Sequence, residues 1–206
     1  MKKTFIAIMA AVTMMASSCS SLGGLTSSTS STSGILTNVL GGLLGQVLLG
    51  GSGLTASSLV GNWQYAGPSA AFTSEQALNN AGGVNAANAL ITSLAPNYNE
   101  IGISKKNTSF NFGNNNTFSA QVNGIPFSGT YVYNEQNGKI TLKTAKYTIN
   151  GDVIKTNNGI GLMFDAKQMT AMLQQVGNVS DKTAIEAIGK LARSNDGARV
   201  GFELTH

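Results

Sequence analysis

Cysteine, histidine, tryptophan and proline are nearly absent from this chain of 206 residues: one Cys, one His, one Trp and three Pro. A single cysteine excludes an internal disulfide and any CxxC metal or redox site. The only histidine is His206, the last residue, which reads as a frayed end and not as a ligand or base. Serine–histidine and cysteine–histidine catalysis therefore have no partner for the nucleophile, and ordinary zinc sites have no ligand set. The nine acidic residues are dispersed with no pair in an acid–base arrangement. No enzyme class is nominated, and neither metal nor cofactor is expected. Gly41-Gly42 lacks the Lys-Ser/Thr that would make a phosphate loop.

Charge is also missing where it would matter. No Asp, Glu, Lys or Arg occurs between Thr4 and Ser74, and the basic residues beyond are scattered. The formal charge of +4 includes Lys2 and Lys3. No basic stripe marks a nucleic-acid footprint, so none is expected as a partner.

Lys2 and Lys3, the apolar run from Phe5 to Ala16, and the small residues Ala16-Ser17-Ser18 before Cys19 have the layout of an export signal. The run is too short to span a bilayer. Cys19 in that position resembles the lipobox of bacterial lipoproteins, with Ala16 where Leu is commoner. The resemblance implies a signal peptide over 1–18, lipid attachment at Cys19 and a membrane as partner. The alternative is ordinary cleavage nearby, with Cys19 an incidental thiol. Residues 19–33, nearly all Ser, Thr and Gly, read as a solvated tether. They lack the acidic cluster that sends some lipoproteins of gut anaerobes to the cell surface. By that resemblance the chain is placed on the outer membrane, facing the periplasm.

From Gly34 to Gly53 the apolar doublets Ile35-Leu36, Val39-Leu40, Leu43-Leu44 and Val47-Leu48 recur every four residues, a helical spacing. Gly41, Gly42 and Gly45 weaken that helix, so it needs a surface to fold on. Three roles stay open: docking on its own domain, lying in the membrane interface, or serving as a spacer.

Residues 54–206 read as one domain. Leu59-Val60-Gly61-Asn62-Trp63-Gln64-Tyr65 carries the only Trp into a first strand, Gly61 to Phe72, interrupted at Gly67-Pro68. A helical insertion follows. Thr73 and Gln76 have capping-box spacing, Gly82-Gly83 breaks the helix, and Pro96 interrupts it again. After Thr108 the apolar residues alternate. Phe110 and Phe112 share a face, as do Phe118, Ala120 and Val122, then Phe127, Gly129, Tyr131 and Tyr133. Asn-Gly pairs at 123, 137, 150 and 158 mark turns. Asp165 and Ser180 are suited to cap two helices, and Val200, Phe202 and Leu204 share a face of a last strand. The sum is a mainly β fold with α insertions: an eight-stranded antiparallel up-and-down barrel, with helices after its first strand and before its last.

Gly61, Trp63 and Arg199, together with that meander, resemble the lipocalin-like superfamily. The resemblance implies that the Arg lies across the Trp and closes one end of the barrel. More closely, the segments 61–68, 71–75 and 197–202 are similar to an uncharacterised, lipocalin-like lipoprotein family of Bacteroides-type bacteria. Two functions remain open. The inward aromatics Trp63, Tyr65, Phe110, Phe112, Phe118, Phe127, Tyr131, Phe164 and Phe202 can line a cavity for a small apolar ligand or acyl chain. Alternatively they fill a solid core, and the protein is a non-enzymatic structural or interaction lipoprotein of the envelope.

Overall fold

A computed structural model describes residues 46–47, 53–176 and 182–206. The expected signal peptide, Cys19, the tether and Ser180 lie outside the described residues. Of the stretch 34–53, expected to be helical, Gln46–Val47 is instead a short strand, β1.

The described chain is a meander rolled into a closed barrel. After α1 (Ala56–Leu59) come β2 (Gly61–Phe72), α2 (Glu75–Asn80), α3 (Val84–Glu100), β3 (Ser109–Phe112), β4 (Thr117–Val122) and β5 (Ile125–Asn134). Then follow β6 (Lys139–Thr144), β7 (Thr148–Lys155), β8 (Ile160–Phe164), α4 (Ala166–Val176), α5 (Lys182–Arg193) and β9 (Ala198–Thr205). Each strand from β2 to β9 pairs antiparallel with the next, and β9 returns to pair with β2, which closes eight strands. β1 lies parallel to the far end of β2, Gln46 beside Ala71 and Val47 beside Phe72.

Alternation builds the wall. In β4 every second residue is buried, and in β3 Phe110 and Phe112 point inward. Asn123 and Gly124 both take positive φ, 52° and 77°, the geometry of the tightest hairpin turn. Gly138 (φ 69°) and the 156–159 turn also fall where expected.

Several local expectations are corrected. Gly67-Pro68 does not interrupt β2; the strand runs through, with its pairing to β9 shifted between Tyr65 and Gly67. The cap of α2 is Ser74, which accepts from the Ala77 amide, while the Thr73 amide is already committed to the Gly197 carbonyl. Pro96 sits inside α3 without ending it. Thr92 and Pro96 both face water, where solvent can take the carbonyl that proline leaves without a donor.

Asn150-Gly151 is no turn. Both residues lie mid-strand in β7, opposite Thr141 and Ile140. A Cβ on Gly151 would come within 2.7 Å of the Met163 carbonyl and 2.8 Å of the Phe164 ring, so this glycine allows close strand approach. The real turn is Ala145-Lys146, held by the Thr144 hydroxyl accepting from the Lys146 and Tyr147 amides.

The helices bury their apolar faces in the same core as the barrel. Asp165 caps α4 through the Gln168 amide at 2.8 Å. Met169, Met172, Leu173 and Val176 of α4 join Ala184, Ile185 and Ile188 of α5 in that core.

Candidate functional site

Among the described residues, the barrel interior is where the chain gathers the aromatics singled out from sequence. Trp63, Tyr65, Phe110, Phe112, Phe118, Tyr131, Phe164 and Phe202 are all buried in one core, and Phe127 packs against it half-buried. They touch one another. Phe110 lies 5.6 Å from Phe202 and 6.4 Å from Phe112, and Phe112 lies 5.2 Å from Tyr131. Phe127 bridges Phe110 and Phe118 edge-on, and Phe164 meets Phe202 edge-on at 6.4 Å. These are the separations at which aromatic rings attract.

Tyr98 is a member that the alternation could not supply. It enters from the last turn of α3 and lies fully buried between Tyr65 and Phe202 at 6.4 and 5.8 Å. Its hydroxyl donates to the Gly201 carbonyl at 3.0 Å. Burial first, and the neighbouring Tyr65 second, push its hydroxyl pKa well up, so it stays a neutral donor. The signal was present: Ala87, Leu94 and Tyr98 share one helix face, and Pro96 hid it.

In a ligand cavity, tyrosine hydroxyls would be the groups to orient a ligand's polar end. Three of them are bound to the backbone instead: Tyr98 to Gly201, Tyr131 to the Gly113 carbonyl at 2.9 Å, and Tyr133 to the Leu54 carbonyl at 2.9 Å. They tie the closing elements to the wall.

The barrel end is also corrected. Trp63 is buried, and its indole N–H donates to the Leu59 carbonyl of α1 at 2.8 Å. Arg199 is not across it. β2 and β9 are antiparallel, so residues near the starts of both strands lie at opposite ends. Arg199 pairs with Ala71, eight residues along β2 from Trp63, or about 26 Å of strand. Its guanidinium instead meets Asp152 at 3.5 Å, and Lys139 meets the same carboxylate at 2.5 Å. The residue packed on Trp63 is His206, its ring tilted against the indole with centroids 3.8 Å apart. Nδ1 of His206 lies 3.0 Å from the Asn62 carbonyl, so the sole histidine is held, not frayed. Gly61 makes room for it, since a Cβ there would lie 3.0 Å from the imidazole.

A second acid lies buried on the outer wall. Glu203 accepts from the Thr156 hydroxyl at 2.5 Å and from Ser69 at 3.5 Å. Burial raises its pKa, and the two hydroxyls partly oppose that shift. Its neighbours are hydroxyls, not a substrate-sized opening. Two clefts lined by described residues lie outside the aromatic cluster. One, of about 530 Å³, separates α2 from the α5–β9 loop beside Gln76, Asn80, Asn195 and Asp196. The other, of about 280 Å³, runs over the polar outer face of β2–β4. Among the described residues no three His, Cys, Asp or Glu come together as a metal site.

Eight antiparallel strands closed on themselves, with a buried Trp on the first of them bonded back to α1, describe a known architecture, and residues 46–206 match the family described as "Lipocalin-like domain (DUF4923)". The chain belongs to that family. No curated protein and no solved structure matches it. The family match begins at residue 46, where β1 begins. A lipocalin-like domain is a fold suited to holding a small ligand and is typically non-enzymatic. In this lipocalin-like domain, Tyr98 joins the wall aromatics, buried against Tyr65 and Phe202.

Proposed function

We propose that this lipocalin-like protein is a non-enzymatic interaction protein of the bacterial cell envelope, its barrel a filled scaffold anchored through acylated Cys19. Tyr98 carries the proposal. A helix that is no part of the strand wall adds a ring to the aromatic core, and a backbone carbonyl fixes that ring in place. The lysine-led apolar leader before Cys19 supports the anchor, and the uncharged tether supports a periplasm-facing position on the outer membrane of a Bacteroides-type cell. The water-facing side of α3, with Asn85, Asn88, Thr92 and Asn99, is the natural partner surface.

Membership of a lipocalin-like family favours a second function, binding of a small apolar ligand or acyl chain. Such a ligand would have to displace Tyr98, at about 3–5 kcal/mol for the lost aromatic packing. An acyl chain returns about 0.8 kcal/mol per buried CH₂, so roughly six methylenes offset the loss. Binding is thus energetically accessible to a lipid and closed to most smaller molecules.

Native mass spectrometry of the Cys19→Ser protein separates the two. The filled scaffold predicts the bare polypeptide mass, and for Tyr98→Ala a stability loss of about 3–5 kcal/mol on chemical denaturation. A lipid retained by the unsubstituted barrel overturns the scaffold and establishes the carrier. The anchor is tested separately, by incorporation of a labelled fatty acid that Cys19→Ser abolishes.

A further inference from the structure

The four Asn-Gly pairs share one local chemistry and meet four different surroundings. In each, the glycine nitrogen can close on the side-chain amide of the preceding asparagine, because glycine has no Cβ to crowd the approach. A hydrogen bond on either group opposes that step, since the partner must first be given up.

At Asn123-Gly124 the glycine amide donates to the Asn107 carbonyl at 2.8 Å, and Asn123 is half-buried. At Asn137-Gly138 both halves are engaged. The Gly138 amide donates to the Asn134 carbonyl at 2.8 Å, and the Asn137 side-chain oxygen accepts from the Lys139 amide at 3.0 Å. Asn150-Gly151 lies in the β6–β7 ladder, where the Asn150 side-chain oxygen accepts from the Thr141 hydroxyl at 2.9 Å and Gly151 is buried. Asn158-Gly159 stands apart. The Asn158 side chain is exposed and, among the described residues, neither it nor the Gly159 nitrogen has a hydrogen-bond partner. The backbone bond that closes this turn runs the other way, from the Thr156 amide to the Gly159 carbonyl at 3.0 Å.

We propose that Asn158 is a site of self-modification, at which the chain converts its own asparagine to aspartate and isoaspartate. The Gly159 nitrogen gives its proton to solvent and bonds to the side-chain carbonyl carbon of Asn158. The bond from that carbon to the side-chain nitrogen breaks, and the nitrogen leaves as ammonia with a proton taken from water. A cyclic succinimide remains. Water then opens the ring: attack at the former side-chain carbonyl leaves aspartate, and attack at the backbone carbonyl leaves isoaspartate. The sum is one water consumed and one ammonia released, with no oxidant, reductant or cofactor. This chemistry is independent of what the barrel holds.

Isoaspartate has a structural consequence at this turn. It routes the main chain through the side-chain carbons and lengthens it by one atom directly before Gly159. Gly159 is packed against β9, for a Cβ on it would lie 2.1 Å from the Leu204 carbonyl oxygen. The added length therefore falls on Thr156, which is tied to Gly159 through its amide and to buried Glu203 through its hydroxyl at 2.5 Å. Modification at Asn158 loosens that clamp on Glu203.

Ageing the full chain in mildly alkaline buffer, followed by peptide mass spectrometry, tests the site. Deamidation at Asn158 is expected to run at least about fivefold faster than at Asn123, Asn137 or Asn150, the factor that one hydrogen bond represents. In concentrated urea the four rates should converge, because the unfolded chain holds none of these bonds. Asn158→Gln should abolish the product at this position, since the longer side chain must close a larger ring. An Asn158 that only matches or lags the other three in the folded protein overturns the proposal, as does a lead that persists unchanged in urea. The clamp is tested on the purified isoaspartate form, which should unfold at a lower temperature than the unmodified chain. Asn158→Asp, which has the new charge but not the extra backbone atom, should unfold with the unmodified chain. An equal loss in Asn158→Asp, or no loss in either, overturns the link to Glu203.

Discussion

His206 and Arg199 exchange the roles expected of them, and tryptophan fluorescence reports the exchange. His206→Ala removes the ring packed on Trp63 and is expected to change its emission, at about 1 kcal/mol of stability for the lost ring contact. Arg199→Ala should leave the emission alone, because its guanidinium serves Asp152. Lys139 still neutralises that carboxylate, which holds the loss to about 1 kcal/mol or less. An emission change in Arg199→Ala with none in His206→Ala would reverse the assignment. Glu203 makes a prediction of opposite character. Burial raises its folded pKa above the unfolded value, so folding is least penalised below about pH 4, where both states are protonated. Stability from this group then falls as pH rises through the folded pKa. Thermal unfolding of Glu203→Gln against wild type should therefore show a gain at pH 7 that disappears at pH 4. A gain of equal size at both pH values would place the effect in packing.

At the scale of elements, two glycines of β-strands separate turn chemistry from packing. Gly151 resembles a turn glycine in sequence but is hemmed in by the Met163 carbonyl and the Phe164 ring. Gly151→Ala is expected to cost about 1–3 kcal/mol through overpacking in a rigid wall. A methyl added at Gly67 would meet no atom within 4 Å, and the backbone there has no positive φ. Gly67→Ala should therefore be neutral or stabilise by up to about 1 kcal/mol. Urea denaturation of both variants checks the contrast, and equal losses would contradict it. Three of the four Asn-Gly pairs turn the chain, and the fourth does not, because β6 and β7 reverse at Ala145-Lys146 under the Thr144 hydroxyl. Pro96 misleads for a related reason. Its cost depends on where the freed carbonyl faces, and a water-facing carbonyl lets α3 continue to Tyr98.

For the molecule as a whole, closure joins residues far apart in sequence: Gln64 pairs with Thr205 and Phe72 with Ala198. Such long-range pairing is slow, and refolding is expected on a millisecond-to-second scale. Trp63 lies beside that seam, and stopped-flow fluorescence should follow closure directly. A submillisecond recovery of the native emission would mean that Trp63 is buried before the barrel shuts.

Alternation after Thr108, turn residues and capping side chains determined the strand order, the helices before the last strand and which aromatics face inward. Those are local signals, and each is carried by residues within a few positions of one another. Tertiary structure alone decided that Tyr98 packs between Tyr65 and Phe202, that His206 rather than Arg199 covers Trp63, and that every residue of β8 is buried. Each of those depends on which end of an antiparallel pair a residue reaches and on what crosses it from elsewhere in the chain. Neither is encoded in the spacing of neighbours.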